Sequence, residues 1–120
     1  MAGNLLVSVT NAANDPDRAT VGFVVANASA ASGVETSVFL STEGVRLSQR
    51  GYADDIHEEG FAPLTELIDS FVEAEGTILV CSPCFKKRDL SEEELVEGAK
   101  IVGGAVPVEL MVNGASCITY

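Results

Sequence analysis

The sequence predicts an α/β fold, a three-layer sandwich with a mostly parallel sheet of about five strands flanked by helices. Three observations carry that expectation. Short apolar runs alternate with helical segments, the links are mostly short, and glycines or asparagines stand where helices should stop. Strands separated by helices pair in parallel, and such a sheet is covered on both faces.

The elements follow in order. Leu5 to Val9 is a short apolar run that reads as a buried strand. Asn14-Asp15-Pro16-Asp17 supplies a helix start, with a capping side chain, Pro in the first turn and acids where the helix dipole favours them. The helix runs from Asp17 to about Ala31, and Gly33 stops it. Glu35 to Leu40 is the second strand, completing a right-handed strand-helix-strand unit. Ser41 to Phe61 is the least regular stretch, and a long segment of this kind in a compact domain tends to be functional or to hide short helices. Pro63 opens a helix to about Glu75, with Leu64, Leu67, Ile68, Phe71 and Val72 at helical spacing, and Gly76 ends it. Thr77 to Val80 is the third strand, with Cys81 at its end. Ser91 with Glu94 three residues on forms a capping box that predicts a short helix ended by Gly98. Lys100 to Val102 is a fourth strand, Pro107 to Val112 a last short helix, and Ser116 to Tyr120 the closing strand.

The 120 residues suit one domain over 1–120, with a core of Val, Leu, Ile and Ala, because aromatics are only 6% and Trp is absent. Lys plus Arg number 7 against 18 Asp plus Glu, a formal charge of −11. Phosphate-rich partners need clustered cations, so nucleic acid and anionic membrane are excluded as partners. No basic leader or long apolar stretch stands near the N-terminus, so the expected location is the cytoplasm. Asn11-Ala12-Ala13-Asn14 after the first strand lacks glycine, which disfavours nucleotide binding. No cofactor and no metal is implied, since zinc needs four ligands and His57 is the sole histidine. His57 reads as a solvated loop residue, and Cys117 as a structural one.

Ligands of an open parallel sheet bind beyond the carboxyl ends of its strands. Three loops should meet there: Thr10–Asp15, Ser41–Val45 and Cys81–Arg88. Asn11 and Asn14 from the first, Glu43 from the second, and Lys86, Lys87 and Arg88 from the third are the candidate substrate-binding residues. Cys81-Ser82-Pro83-Cys84 has the two-residue spacing of a redox or metal pair, and Cys81 and Cys84 are the candidate catalytic residues. A thiolate is the reactive form of cysteine, and nearby cations favour it. Lys86, Lys87 and Arg88 follow at once in a chain otherwise poor in positive charge. That pairing favours a thiolate, a persulfide anion or an anionic sulfur substrate.

With these residues in place, the chain resembles the DsrE/DsrF-like family, which includes the sulfur-relay TusD-type subunits. The likeness begins at the first strand and the Asn14-Asp15-Pro16 helix entry. It continues through Gly33-Val34-Glu35, Phe39-Leu40 and Glu43-Gly44-Val45. It is most specific at Val80-Cys81-Ser82-Pro83-Cys84 with Arg88 seven residues after Cys81, and it extends through Leu95 to Gly98 and Gly114 to Tyr120. Asp89 is a departure, standing where the family commonly has Gly after the arginine. The resemblance implies a homo-oligomer, trimer or hexamer, and a cysteine at the end of the third strand that carries sulfur as a persulfide. Carried onto this chain, the acceptor is Cys81, with Cys84 as helper, resolving thiol, or, as in some relatives, the more important of the two.

The reading that results is a persulfide carrier or sulfurtransferase acting through Cys81 with Cys84, served by a sulfur-donor or acceptor protein. The alternatives are a noncatalytic oligomeric interaction subunit and a thiol redox protein. Exposure and thiol acidity discriminate among them.

Overall fold

The computed structural model describes residues 3–120; the sequence reading of Met1 and Ala2 as a plain start lies outside them. Five strands, β1 (Asn4–Val9), β2 (Glu35–Leu40), β3 (Thr77–Cys81), β4 (Ala99–Val102) and β5 (Ser116–Thr119), form one sheet in the order β4-β3-β2-β1-β5. Every pairing is parallel. The α-helices are α1 (Pro16–Ala31), α2 (Leu64–Glu73), α3 (Ser82–Lys87) and α4 (Ala105–Val112).

The start of α1 is set locally. Asp15 caps it by accepting a hydrogen bond from the Arg18 amide at 3.2 Å, and Pro16 fills the first turn, where a missing N–H costs nothing. From β1 to β4 the chain steps one strand at a time in one direction. Right-handed crossovers therefore put α1 and α2 on the same face, where they pack against each other. The main core lies between that pair and the sheet. Val7, Val9, Val38, Leu40, Ile78 and Val80 point into it, and Phe23 of α1 meets Phe71 of α2 edge to face, with ring centroids 6.0 Å apart. The Asn27 side-chain amide donates to the carbonyls of Phe23 and Leu67, both at 2.9 Å, tying α1 to α2.

The last crossover runs the other way, from β4 at one edge to β5 at the other. Right-handedness then carries α4 to the opposite face, where it packs against β1. Alternation along the strands turns Leu6 and Leu79 to that face, outside the main core. This third layer is thin. Val108, Met111 and Val112 of α4 are 59%, 49% and 78% exposed, and Ile118 of the edge strand β5 is also open to solvent.

Ser41 to Phe61 is ordered as 3-10 turns at Thr42–Ser48 and Tyr52–Asp55, the short helices that its length allowed for. One sequence expectation is corrected here. The helix predicted from the Ser91 capping box is only a 3-10 turn at Glu92–Glu94, and Ser91 makes no side-chain cap. The reason is tertiary. The Gln49 side-chain amide takes both backbone groups of Ser91, donating to its carbonyl and accepting from its N–H, each at 3.1 Å. The following residues pair with the 48–50 backbone, through Arg50 N–H to the Glu94 carbonyl at 2.7 Å and Val96 N–H to the Ser48 carbonyl at 2.8 Å. Held in that bridge, the segment keeps only a 3-10 turn, with the Glu94 N–H donating to the Ser91 carbonyl at 3.1 Å and the Leu95 N–H to the Glu92 carbonyl at 3.3 Å.

Candidate functional site

The three loops predicted at the carboxyl edge of the sheet do meet. The 3-10 turn after β2 is fastened to the first loop: the Gly44 N–H donates to the Thr10 carbonyl at 3.2 Å, and the Thr42 hydroxyl donates to the same carbonyl at 2.7 Å. A Cβ at Gly44 would strike the Val9 carbonyl oxygen, so only glycine allows this approach. On its other side the same turn packs against α3.

Cys81 ends β3, its Cα paired with Val102 of β4, and the chain turns directly into α3. Sequence reasoning placed Cys81 to Arg88 in a loop, whereas Ser82 to Lys87 is helical. The missed signals were Pro83 in the first turn and Lys86 and Lys87 in the last, both favoured there. The pair therefore spans a strand-to-helix junction, with Cys81 at the helix entrance and Cys84 in its first turn. Both are free thiols and half-buried.

Arg88 follows α3 and is the cation that reaches the pair. It is 13% exposed, and its guanidinium donates to the Cys84 carbonyl at 3.2 Å and to the Glu43 carboxylate at 2.6 Å. Arg46 holds the other Glu43 oxygen at 2.9 Å. Glu43 is held below its ordinary pKa, first by the Arg88 hydrogen bond and then by that from Arg46. Asp89, in the family's glycine position, takes a left-handed backbone at φ 52°, a conformation aspartate tolerates better than most residues.

The expectation that three cations together acidify Cys81 is corrected. Lys86 and Lys87 are exposed to solvent. Burial pushes the Cys81 thiol up, the Cys84 backbone amide opposes that, the Cys84 thiol adds to it, and Arg88 acts last in the opposite sense. Arg88 is the smallest of these influences.

The structure thus brings Cys81, Cys84, Arg88 and Glu43 together, with Arg46 as a member that sequence reasoning passed over. Asn11 and Asn14 are occupied within their own loop: the Asn14 side chain donates to the Asn11 side-chain oxygen at 2.9 Å and accepts from the Ala12 amide at 2.7 Å. Tyr52 supports that loop by accepting a hydrogen bond from the Ala13 amide at 3.2 Å. Lys86 lines a separate open cleft of about 590 Å³ with Ser82, Phe85, Asp89, Leu90, Glu92 and Ile101. His57 is exposed, its Nε2 2.8 Å from the Phe61 carbonyl. Cys117, read from the sequence as structural, is exposed on β5, with β1 and β2 lying between it and β3. Among the described residues, no group of three or more His, Cys, Asp or Glu side chains is placed to hold a metal ion, and no helix is long and apolar enough to cross a membrane.

A five-stranded parallel α/β sandwich with a cysteine pair where its third strand enters a helix defines a class of small cysteine-bearing α/β proteins. The DsrE/DsrF-like family model matches residues 4–120, and the chain belongs to that family. It is 30% identical over 95 residues to the uncharacterized protein MJ0989 of Methanocaldococcus jannaschii, covering 79% of this chain and 80% of that protein. It is 29% identical over 97 residues to the uncharacterized protein MK0008 of Methanopyrus kandleri, covering 81% of this chain and 77% of that one. Among solved structures, the ychN protein from E. coli superposes with a TM-score of 0.74 over 100% of both chains at 14% identity. The protein of unknown function MTH1491 from Methanobacterium thermoautotrophicum superposes with a TM-score of 0.72 over 98% of this chain and 99% of that chain, also at 14% identity. At that identity the two structures speak for the fold alone.

Proposed function

We propose that this protein is a sulfur carrier in which Cys81 accepts sulfur as a persulfide. The observation that supports the reading is the free, half-buried Cys81–Cys84 pair at the β3–α3 junction, with the Arg88 guanidinium beside it. In the first step the Cys81 thiolate attacks the terminal sulfur of a donor persulfide. The new bond joins Cys81 Sγ to that sulfur, and the donor's own sulfur leaves as a thiolate. An acceptor cysteine then attacks the same terminal sulfur and returns Cys81 as a thiolate. Attack by Cys84 on Cys81 Sγ instead expels hydrosulfide and leaves a Cys81–Cys84 disulfide, so the sulfur is released reduced. Because burial raises the Cys81 pKa, loading should quicken as pH rises toward and past the ordinary thiol range.

Intact-mass spectrometry after incubation with a persulfide donor tests this on wild type, Cys81→Ser and Cys84→Ser. A gain of about one sulfur atom, absent in Cys81→Ser and reversed by reductant, is the expected result. No gain in any form refutes a carrier role.

A second reading, a noncatalytic interaction subunit, is favoured by the thin third layer. The exposed apolar residues of α4 are the surface on which a trimer or hexamer of this chain would assemble. Assembly through that surface is open to either reading, and sulfur uptake at Cys81 is what separates them.

A further inference from the structure

The Arg88 guanidinium touches the backbone of one cysteine of the pair, yet its charge is spent on a carboxylate from a different loop. Glu43 stands on the 3-10 turn after β2, forty-five residues away in sequence, and meets Arg88 Nε at 2.6 Å. Arg88 is 13% exposed while Glu43 is 35% exposed, so the arginine is held in place and its counter-charge stays within reach of solvent. Glu43 is itself shared with Arg46 at 2.9 Å, which gives it a second cation to hold when Arg88 turns away. The guanidinium has five N–H donors, and the contacts to Glu43 and Cys84 leave some of them free.

We propose that Glu43 is a positioning residue that masks Arg88 and thereby sets the preference of the cysteine pair for anionic sulfur. In the resting chain Glu43 offsets the Arg88 charge, and Arg46, the second cation on the same carboxylate, leaves the group with a positive excess on the side away from the cysteines. An anionic sulfur species at Cys81, either a small donor or the persulfide anion left by transfer, competes with Glu43 for the guanidinium, and Glu43 falls back on Arg46. Anionic sulfur is thus drawn in only as strongly as it outbids a carboxylate already in place. This deepens the sulfur-carrier reading and rests on it for its purpose. The charge relay itself is measurable with reagents that carry no transferable sulfur.

The groups facing Cys81 are Cys84 and Arg88, with Glu43 and Arg46 behind Arg88 and the uncharged Val102 alongside on β4. The test compares alkylation of Cys81 by neutral iodoacetamide and by anionic iodoacetate, localised by tandem mass spectrometry. The ratio of the two rates cancels thiolate fraction and accessibility, and it reports the local charge met by an anion. In Glu43→Gln the iodoacetate-to-iodoacetamide ratio is expected to rise about threefold or more at low salt, and the rise should shrink as salt is added. Adding Arg88→Gln should abolish the gain, whereas adding Arg46→Gln should leave it. A role limited to holding α3 in place changes both rates alike and leaves the ratio flat. An unchanged or lowered ratio in Glu43→Gln, or a gain that survives loss of Arg88, overturns the proposal. Glu43→Gln keeps the shape of a partly exposed side chain and decides the matter alone if the double variant does not fold. Failure of persulfide loading in the mass assay leaves this ratio untouched, so the two readings fail separately.

Discussion

Replacing Gln49 with Ala removes one side chain that acts as a length of backbone. Its amide oxygen accepts from the Ser91 N–H and its amide nitrogen donates to the Ser91 carbonyl, each at 3.1 Å. Each bond contributes about 0.5–1.5 kcal/mol net. Both lie at the surface, where water re-satisfies the freed groups, so the lower half of that range applies to each and the expected loss for the two is about 1–2 kcal/mol. With a urea slope of about 2 kcal/mol per molar, the unfolding midpoint should fall by roughly 0.5–1 M with the slope unchanged. The loss should also be local. The backbone bonds from Val96 to Ser48 and from Arg50 to Glu94 remain, so the 88–96 segment loosens without dissolving. Hydrogen exchange at the Ser91 and Leu95 amides should accelerate while that of β1 and β2 changes only in step with global stability. An unchanged midpoint, or a fall beyond about 3 kcal/mol, refutes the view that this amide suppresses the capping-box helix and holds the strap beside α3.

Other perturbations have equally definite outcomes. Phe71→Ala opens the core where that ring meets Phe23 and Gly76, and denaturation should show a loss of about 3–5 kcal/mol. Gly44→Ala drives a methyl group into the Val9 carbonyl and should cost about 1–3 kcal/mol, with chemical-shift changes concentrated in the Thr10 and Ser41–Ser48 loops. Arg88 and then Arg46 depress the Glu43 pKa, so the folded state prefers the ionised carboxylate. That contribution is complete above the ordinary value of 4.5 and is lost as pH falls through the lowered folded value, so the stability gap between wild type and Glu43→Gln should close in acid titration below about pH 4.5. Met111→Glu with Val112→Glu places charge on the exposed α4 surface; sedimentation should show weaker self-association, with circular dichroism of the monomer unchanged.

The strands and the long helices were readable because local chemistry and tertiary need agree there. Leu5 to Val9 and Glu35 to Leu40 are apolar on the face that the core requires, and Asp15-Pro16 and Gly33 punctuate α1 by the backbone preferences of those residues. The Ser91 capping box failed because Gln49, distant in sequence, competes for the groups that a helix needs. Helix α3 was missed because its six residues carry too little periodicity, and only Pro83 and the lysines announce it. The candidate site was legible in its members, since Cys81, Cys84, Arg88 and Glu43 do converge. Its electrostatics were not. Runs of like charge in sequence suggest a common field, but Lys86 and Lys87 face water while Arg88 turns inward to a carboxylate. Asn11 and Asn14 show the same limit, as their polarity serves their own turn.

The placement of β5 beside β1 has a consequence for the order in which the protein is made. Thr10 donates to the Tyr120 carbonyl from its amide at 2.8 Å and from its hydroxyl at 3.0 Å, and Tyr120 returns its own N–H to Ser8 at 2.7 Å. These partners lie 110 residues apart. A ribosome delivering the chain from its N-terminus presents β1 with an open edge while β2, β3, the cysteine helix and β4 emerge and can already assemble on the other side. The loop that anchors the Glu43 turn gains its bonds to Tyr120 only once β5 has docked. Closing so long a loop is entropically slow, which makes β5 docking the natural candidate for the late step of folding. A nascent chain stalled before Ser116 would therefore carry its cysteine pair on a sheet whose β1 edge is still open.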